Sequence, residues 1–146
     1  MGADFGYESQ MEKKIKELNL SQIIQVIKKP PRNDVISAYT QCKFSVLPSR
    51  WELSPLTPLE VFACKKTVIS TTAHGIPHTI THEKNCLLVP PSDPKKLGNA
   101  ILELLENPIK CEKLAKSGFD MVVKDGNLYS MTRNMFSIYE KVLKKD

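Results

Sequence analysis

Two carboxylates with seven residues between them are the part of this sequence best equipped for chemistry. Glu52 and Glu60 lie in the stretch Pro48-Ser49-Arg50-Trp51-Glu52-Leu53-Ser54-Pro55-Leu56-Thr57-Pro58-Leu59-Glu60-Val61-Phe62-Ala63-Cys64. Pro58 suits the first turn of a helix, where its missing N–H costs nothing. A helix from about Thr57 to Cys64 then leaves Glu52 in the preceding loop and puts Glu60 near the helix start. The amides from Ser54 to Leu59, those of Pro55 and Pro58 excepted, approach a helix N-terminus with unpaired donors, a setting that suits a diphosphate. A carboxylate one turn deeper can accept both hydroxyls of a ribose, and one in the loop can reach the hydroxyls of a sugar. Spacing alone is equally compatible with a Glu60 that complements the helix dipole and a solvated Glu52.

Three histidines offer a second pattern. His74, His78 and His82 recur every four residues, which on one helix face could hold a metal. Gly75, Pro77 and the β-branched Thr79, Ile80 and Thr81 argue against a continuous helix there, and no cysteine or acid completes the set. No metal is predicted.

These residues need a frame, and the apolar runs supply one. The periodicity predicts a helix from Glu8 to Leu18, with Met11, Ile15 and Leu18 at helical spacing. Ile23-Ile24-Gln25-Val26-Ile27 reads as a strand ended by Pro30-Pro31, and Asp34 as the cap of a helix running to about Cys42. Phe44-Ser45-Val46-Leu47, Thr67-Val68-Ile69-Ser70 and Cys86-Leu87-Leu88-Val89 read as three more strands. Ser92-Asp93-Pro94 opens a helix to about Leu105. Asn107-Pro108 breaks the chain before two last helices, about 109–123 and 127–144. Strands alternating with helices predict a doubly wound parallel α/β sheet of about four strands, covered on both faces. Residues 1–146 are expected to form a single domain, with strands 44–47, 67–71 and 86–89 adjacent in that order. Strand 23–27 is expected either to pair directly with 44–47 or to need another segment between them. Ligands of such sheets bind beyond the carboxyl ends of the strands, here the loops after Leu47, Ser70 and Val89.

Bulk composition narrows the classes. The chain has 146 residues, 41% hydrophobic and 25% charged, enough for one sizeable core. No apolar run is long enough to span a bilayer, and Met1-Gly2-Ala3-Asp4 lacks a signal peptide's basic start and apolar core. A cytoplasmic protein is expected. Cys42, Cys64, Cys86 and Cys111 are widely spaced without a C-x-x-C pair, so reduced thiols are expected rather than a disulfide framework. The net charge of +5 suits an anionic partner. No nucleic-acid motif accompanies it, whereas a nucleoside diphosphate or an anionic membrane surface, met peripherally, would be served by the same sign.

The segment around the two carboxylates resembles the E-x7-E signature of the family-4 retaining glycosyltransferases, the glycosyl transferases group 1, and its flanks resemble theirs. Phe44-Ser45-Val46-Leu47-Pro48-Ser49 is similar to the family strand that ends in Pro-Ser. Leu59-Glu60-Val61-Phe62-Ala63-Cys64-Lys65-Lys66-Thr67-Val68-Ile69-Ser70 resembles L-E-A-x-A-x-G-x-P-V-I-x-S. His74-Gly75-Ile76-Pro77 is similar to the G-G-x-P turn, and Asn85 to Pro91 to N-G-x-L-V-P-P. The match extends back to Gly2–Gly6, similar to the loop after a family strand. This resemblance implies the Rossmann-like C-terminal, donor-binding half of a GT-B fold. It implies that Glu52 binds hydroxyls of the donor sugar, Glu60 the ribose, and the backbone around Ser54, Leu56 and Thr57 the phosphates. The base would lie near Ile27 and Lys28, and His74, beside the Gly75 turn, would border the sugar pocket. The implied substrate is a nucleoside-diphosphate sugar, transferred with retention to an unknown acceptor and without metal or other cofactor in this domain.

The sequence departs from the family at Leu53-Ser54-Pro55, where Gly-Phe-Gly is usual. Side chains and a proline there hinder close approach of backbone to ligand. Cys86 stands at a usual glycine and His78 at a common acid. The Arg and Lys that hold the diphosphate, two strands and the acceptor-binding N-terminal domain would precede residue 1. The chain is therefore expected to be part of a longer enzyme, inactive alone. The alternative is a non-catalytic nucleotide-sugar-binding or interaction module with the same fold.

Overall fold

The computed structural model describes residues 6–144; Gly2 to Phe5, part of the loop expected before α1, lie outside them. By internal contacts the chain divides into two compact units, 1–35 and 36–146.

In the first unit, α1 (Glu8–Glu17) forms where the apolar spacing places it, with none of its residues buried. Lys28 reaches back to the carboxylates of Glu8 and Glu12, the latter at 3.0 Å. These bonds hold its ammonium well above the usual lysine range, Glu8 contributing most. The strand expected over residues 23–27 is absent. The carbonyl of Leu20 accepts the N–H groups of both Ile23 and Ile24, which curls the segment into a turn, and residues 24–28 have no regular structure. A strand exists through its ladder, and no described strand pairs with this one.

Beyond α2 (Arg32–Gln41), the second unit carries a three-stranded parallel sheet. Asp34 lies in the first turn of α2 instead of capping it. Strand β1 (Phe44–Leu47) pairs with β2 (Thr67–Thr71), and β2 with β3 (Cys86–Val89), in the register Ser45–Val68–Cys86 and Val46–Ile69–Leu87. The three adjacent strands are those expected, so the sheet has three strands where about four were anticipated. Every residue of the central strand β2 is buried, as befits a parallel strand covered on both faces.

Alternation along β2 and β3 divides the core in two. Val68 and Cys86 pack with Val61 and Phe62 of α3 (Thr57–Ala63) and with Ile76 of the one-turn α4 (Ile76–Thr79). Ile69, Leu87 and Val89 face the other way, against Ala100 and Leu104 of α5 (Pro94–Glu106) and Leu114 of α6 (Pro108–Asp125). Helix α6 also approaches α3 so closely that a Cβ on Gly118 would lie 2.5 Å from the buried Phe62 ring. Asp93 caps α5, Asn107 caps α6, and Asn127 caps the last helix, α7 (Leu128–Leu143). Each side-chain oxygen accepts an N–H that the helix leaves unpaired. No helix among the described residues is long and apolar enough to cross a membrane.

All four cysteines are free, with Cys86 buried and the others half-buried. Burial pushes the Cys86 thiol up from its ordinary 9.0 to about 12, with Glu83 adding to the shift. The unfolded chain releases this proton near pH 9, whereas the folded chain holds it to about pH 12. Cys86 therefore contributes stability that is full below pH 9 and is lost as pH rises through that window. Urea unfolding across the same window should show a declining midpoint, and Cys86→Ala should flatten the decline while lowering stability at neutral pH. An unchanged slope in the variant would show that another group titrates.

Candidate functional site at the carboxyl edge of the sheet

The loops that leave β1, β2 and β3 meet at one edge of the sheet, and hydroxyl groups of β2 tie the first two together. Ser70 Oγ donates to the carbonyl of Leu47 at 2.9 Å, and Thr71 Oγ1 to that of Ser49 at 2.6 Å. The Thr71 hydroxyl also accepts the Ala73 N–H at 3.3 Å. A parallel ladder ends where its strands end, and here side chains extend the pairing into the loops that follow.

Glu52 sits in the loop after β1, half-buried, and its Oε1 accepts the N–H of Leu53 at 3.2 Å. The N–H of Gly75 donates to the Glu52 carbonyl at 2.9 Å. Position 75 has no space for a side chain, since a Cβ there would lie 1.5 Å from the Leu53 carbonyl oxygen. Before it, His74 takes a φ of 39°, the left-handed region in which histidine is more frequent than most residues. The Trp51 and His74 rings lie 6.1 Å apart, inclined at 60°. Two turns distant in sequence thus form one surface.

Glu60 lies in the first turn of α3, and its N–H donates to the carbonyl of Leu56, the N-cap residue. No side chain caps that terminus, and Pro58 occupies the first turn. Leu56 is 67% exposed, Ser54 is exposed and Thr57 half-buried. Pro55 and Pro58 are buried and anchor the connection from below. Of the residues singled out in the sequence, Ser54, Leu56, Thr57 and Glu60 therefore share one loop-to-helix connection with Glu52, and His74 joins it through Gly75. Ile27 and Lys28 belong to the 1–35 unit, where the strand that was to place them is absent.

A cleft of about 250 Å³ opens along this edge, lined among others by Pro48, Arg50, Thr71, Val89 and Ser92. A second of about 250 Å³ lies beside the residues that precede β1 and β2, where Lys43, Lys65 and Lys66 meet Leu104, Cys111 and Glu112. None of the residues assigned to the ligand lines either cleft; the first adjoins them through Arg50 and Thr71. Among the described residues no three histidine, cysteine or acidic side chains converge as metal ligands; His82 Nδ1 instead accepts the Leu88 N–H at 2.9 Å.

The family model for glycosyl transferases group 1 matches residues 2–121. The chain belongs to that family. Over 100 residues it is 33% identical to an uncharacterized glycosyltransferase of Methanocaldococcus jannaschii, a match covering 68% of this chain and 28% of that protein. Sucrose-phosphate synthase of Thermosynechococcus elongatus superposes with a TM-score of 0.86 at 26% identity, over 99% of this chain and 36% of that one. Anabaena HepE in complex with UDP-glucose shares the fold, with a TM-score of 0.84 at 18% identity, over 94% of this chain and 38% of that one. This chain thus spans well under half the length of these relatives, and its α/β architecture is that of a GT-B C-terminal, Rossmann-like domain.

Trp51 and Gly75 were not singled out from the sequence as site residues. Gly75 stood inside a recognisable turn motif, but its partner, the Glu52 carbonyl, is a backbone group that no side-chain pattern reveals. Gly75→Ala should force the two loops apart. The amide at position 75 should then lose its protection in hydrogen exchange while β2 keeps its own. Unchanged protection at position 75 would show that the loops do not depend on the contact.

Proposed function

We propose that this chain is the donor-binding half of a retaining, nucleotide-sugar-dependent glycosyltransferase. One observation carries the reading. Glu52 and Glu60 stand at the two ends of a single loop-to-helix connection beyond the carboxyl end of β1, in a chain of the glycosyl transferases group 1 family. Ligands of open α/β sheets collect at that edge. HepE, which shares the fold, was solved holding UDP-glucose, and this supports a nucleoside-diphosphate sugar as the ligand.

In this reading Glu52 accepts hydrogen bonds from hydroxyls of the sugar and Glu60 from the ribose. The backbone at Leu56 and Thr57, with Ser54 beside it, faces the diphosphate, and His74 borders the sugar. Stabilising the departing diphosphate electrostatically is the work such a site does. The remaining cations, and the acceptor with its own domain, would come from the longer protein. Ile27 and Lys28 keep the base in this reading through the family resemblance, although residues 24–28 have no regular structure. Leu53-Ser54-Pro55 favours the second reading, a binding module without catalysis, because Leu53 is 65% exposed where the family has glycine and backbone.

Calorimetry with UDP- and GDP-sugars tests the donor site. Binding by this chain that is lost in Glu60→Gln supports it, and no heat at millimolar ligand favours an interaction module or a chain too short to bind alone. In a complete enzyme, Glu52→Gln and Glu60→Gln should each lower transfer roughly ten- to a hundred-fold, the scale of a lost hydrogen bond to a charged acceptor. Chelating divalent metal should change transfer little unless the acceptor half needs one. Full activity in both variants would remove the assigned roles.

A further inference from the structure

We infer that Trp51 is the stacking surface for the sugar ring of the donor and thereby a specificity-determining residue of this site; the inference rests on the donor reading above and extends it. Trp51 is the sole tryptophan of the chain and stands 64% exposed. Its backbone neighbour is Glu52, whose carbonyl is tied to the Gly75 amide. Its ring meets the exposed His74 imidazole at 6.1 Å and 60°, and most of the indole surface stays open to solvent. An indole combines a large apolar face with a polar N–H, which suits a partner with an apolar face and a polar rim.

A pyranose has that character. Its C–H groups form a flat apolar face, while its hydroxyls project from the edge. Trp51 offers the flat surface, and Glu52 and His74 offer hydrogen-bonding groups beside it. The order along the chain fits as well. Ribose at Glu60, phosphates at Leu56 and Thr57, and sugar hydroxyls at Glu52 place the ring itself next in line, at residue 51. A nucleotide lacking the sugar would leave Trp51 as exposed as it is now.

The test uses the tryptophan as its own reporter. This chain is titrated with UDP, UDP-glucose, GDP and GDP-mannose, with emission of Trp51 and calorimetric heat followed in parallel. The expected result is an emission change with the nucleotide sugar that the bare nucleotide at equal saturation does not produce. Trp51→Ala should weaken nucleotide-sugar binding about tenfold, the scale of a lost aromatic contact, towards the affinity of the bare nucleotide, which the substitution leaves alone. Trp51→Phe should restore most of the difference. If a nucleotide sugar binds while Trp51 stays silent and Trp51→Ala binds as well as the parent, the stacking role is overturned and the donor site stands. If neither nucleotides nor nucleotide sugars bind, the donor site falls and the stacking role with it.

Discussion

The Gly75 amide donates to the carbonyl of Glu52, and that 2.9 Å bond is possible only because position 75 has no side chain. The loop carrying Glu52 lies beyond the ladder of β1. Leu53 and Ser54 are exposed, and the loop's regular pairing ends with β1. Gly75 follows β2, so the bond makes the position of one candidate ligand residue depend on the next strand in the sheet. The hydroxyls of Ser70 and Thr71 act in the same direction, reaching from β2 to the carbonyls of Leu47 and Ser49. Both lie on the buried central strand, where a hydroxyl without a partner would cost about 1–3 kcal/mol. The edge of the sheet is therefore a built surface: removing its cross-links would destabilise the fold as well as displace the loops.

Helix α3 completes the arrangement from the opposite side of the connection. Its inner face, Val61 and Phe62, is fully buried against β2 and β3. That packing leaves α3 no freedom to slide, so Glu60 in its first turn has a fixed height above the sheet. The chain between Glu52 and Glu60 is short, and the buried Pro55 and Pro58 stiffen it. Glu52 and Glu60 are thus positioned independently, one through a backbone bond to the turn after β2 and one through helix packing.

Much of this was legible in the residues alone. Phe44–Leu47, Thr67–Thr71 and Cys86–Val89 are short apolar runs bounded by turn residues, and they form strands because each finds a ladder partner, with only the central one buried throughout. The helix starts at Thr57, Pro94 and Pro108 follow from proline and capping chemistry. The run Ile23–Ile27 has equal apolar character and fails as a strand. A strand needs a neighbour, which composition cannot supply, and the Leu20 carbonyl captures its first amides locally. The one-turn helix Ile76–Thr79 escaped because four residues carry no periodicity, although Pro77 in its first turn is a fair signal. Glu52 and Glu60 were visible as charges at a telling spacing. The Glu52–Gly75 bond and the Trp51–His74 contact were not, since both join residues more than twenty positions apart through backbone or ring geometry.

The central claim is that the donor occupies the carboxyl edge of the sheet, and amide chemical shifts mapped during titration with UDP-glucose or GDP-mannose test it most directly. The account predicts that the shifts fall on residues 49–60 and 71–76. Shifts concentrated instead around Lys43, Lys65 and Lys66, at the opposite end of β1 and β2, would contradict it.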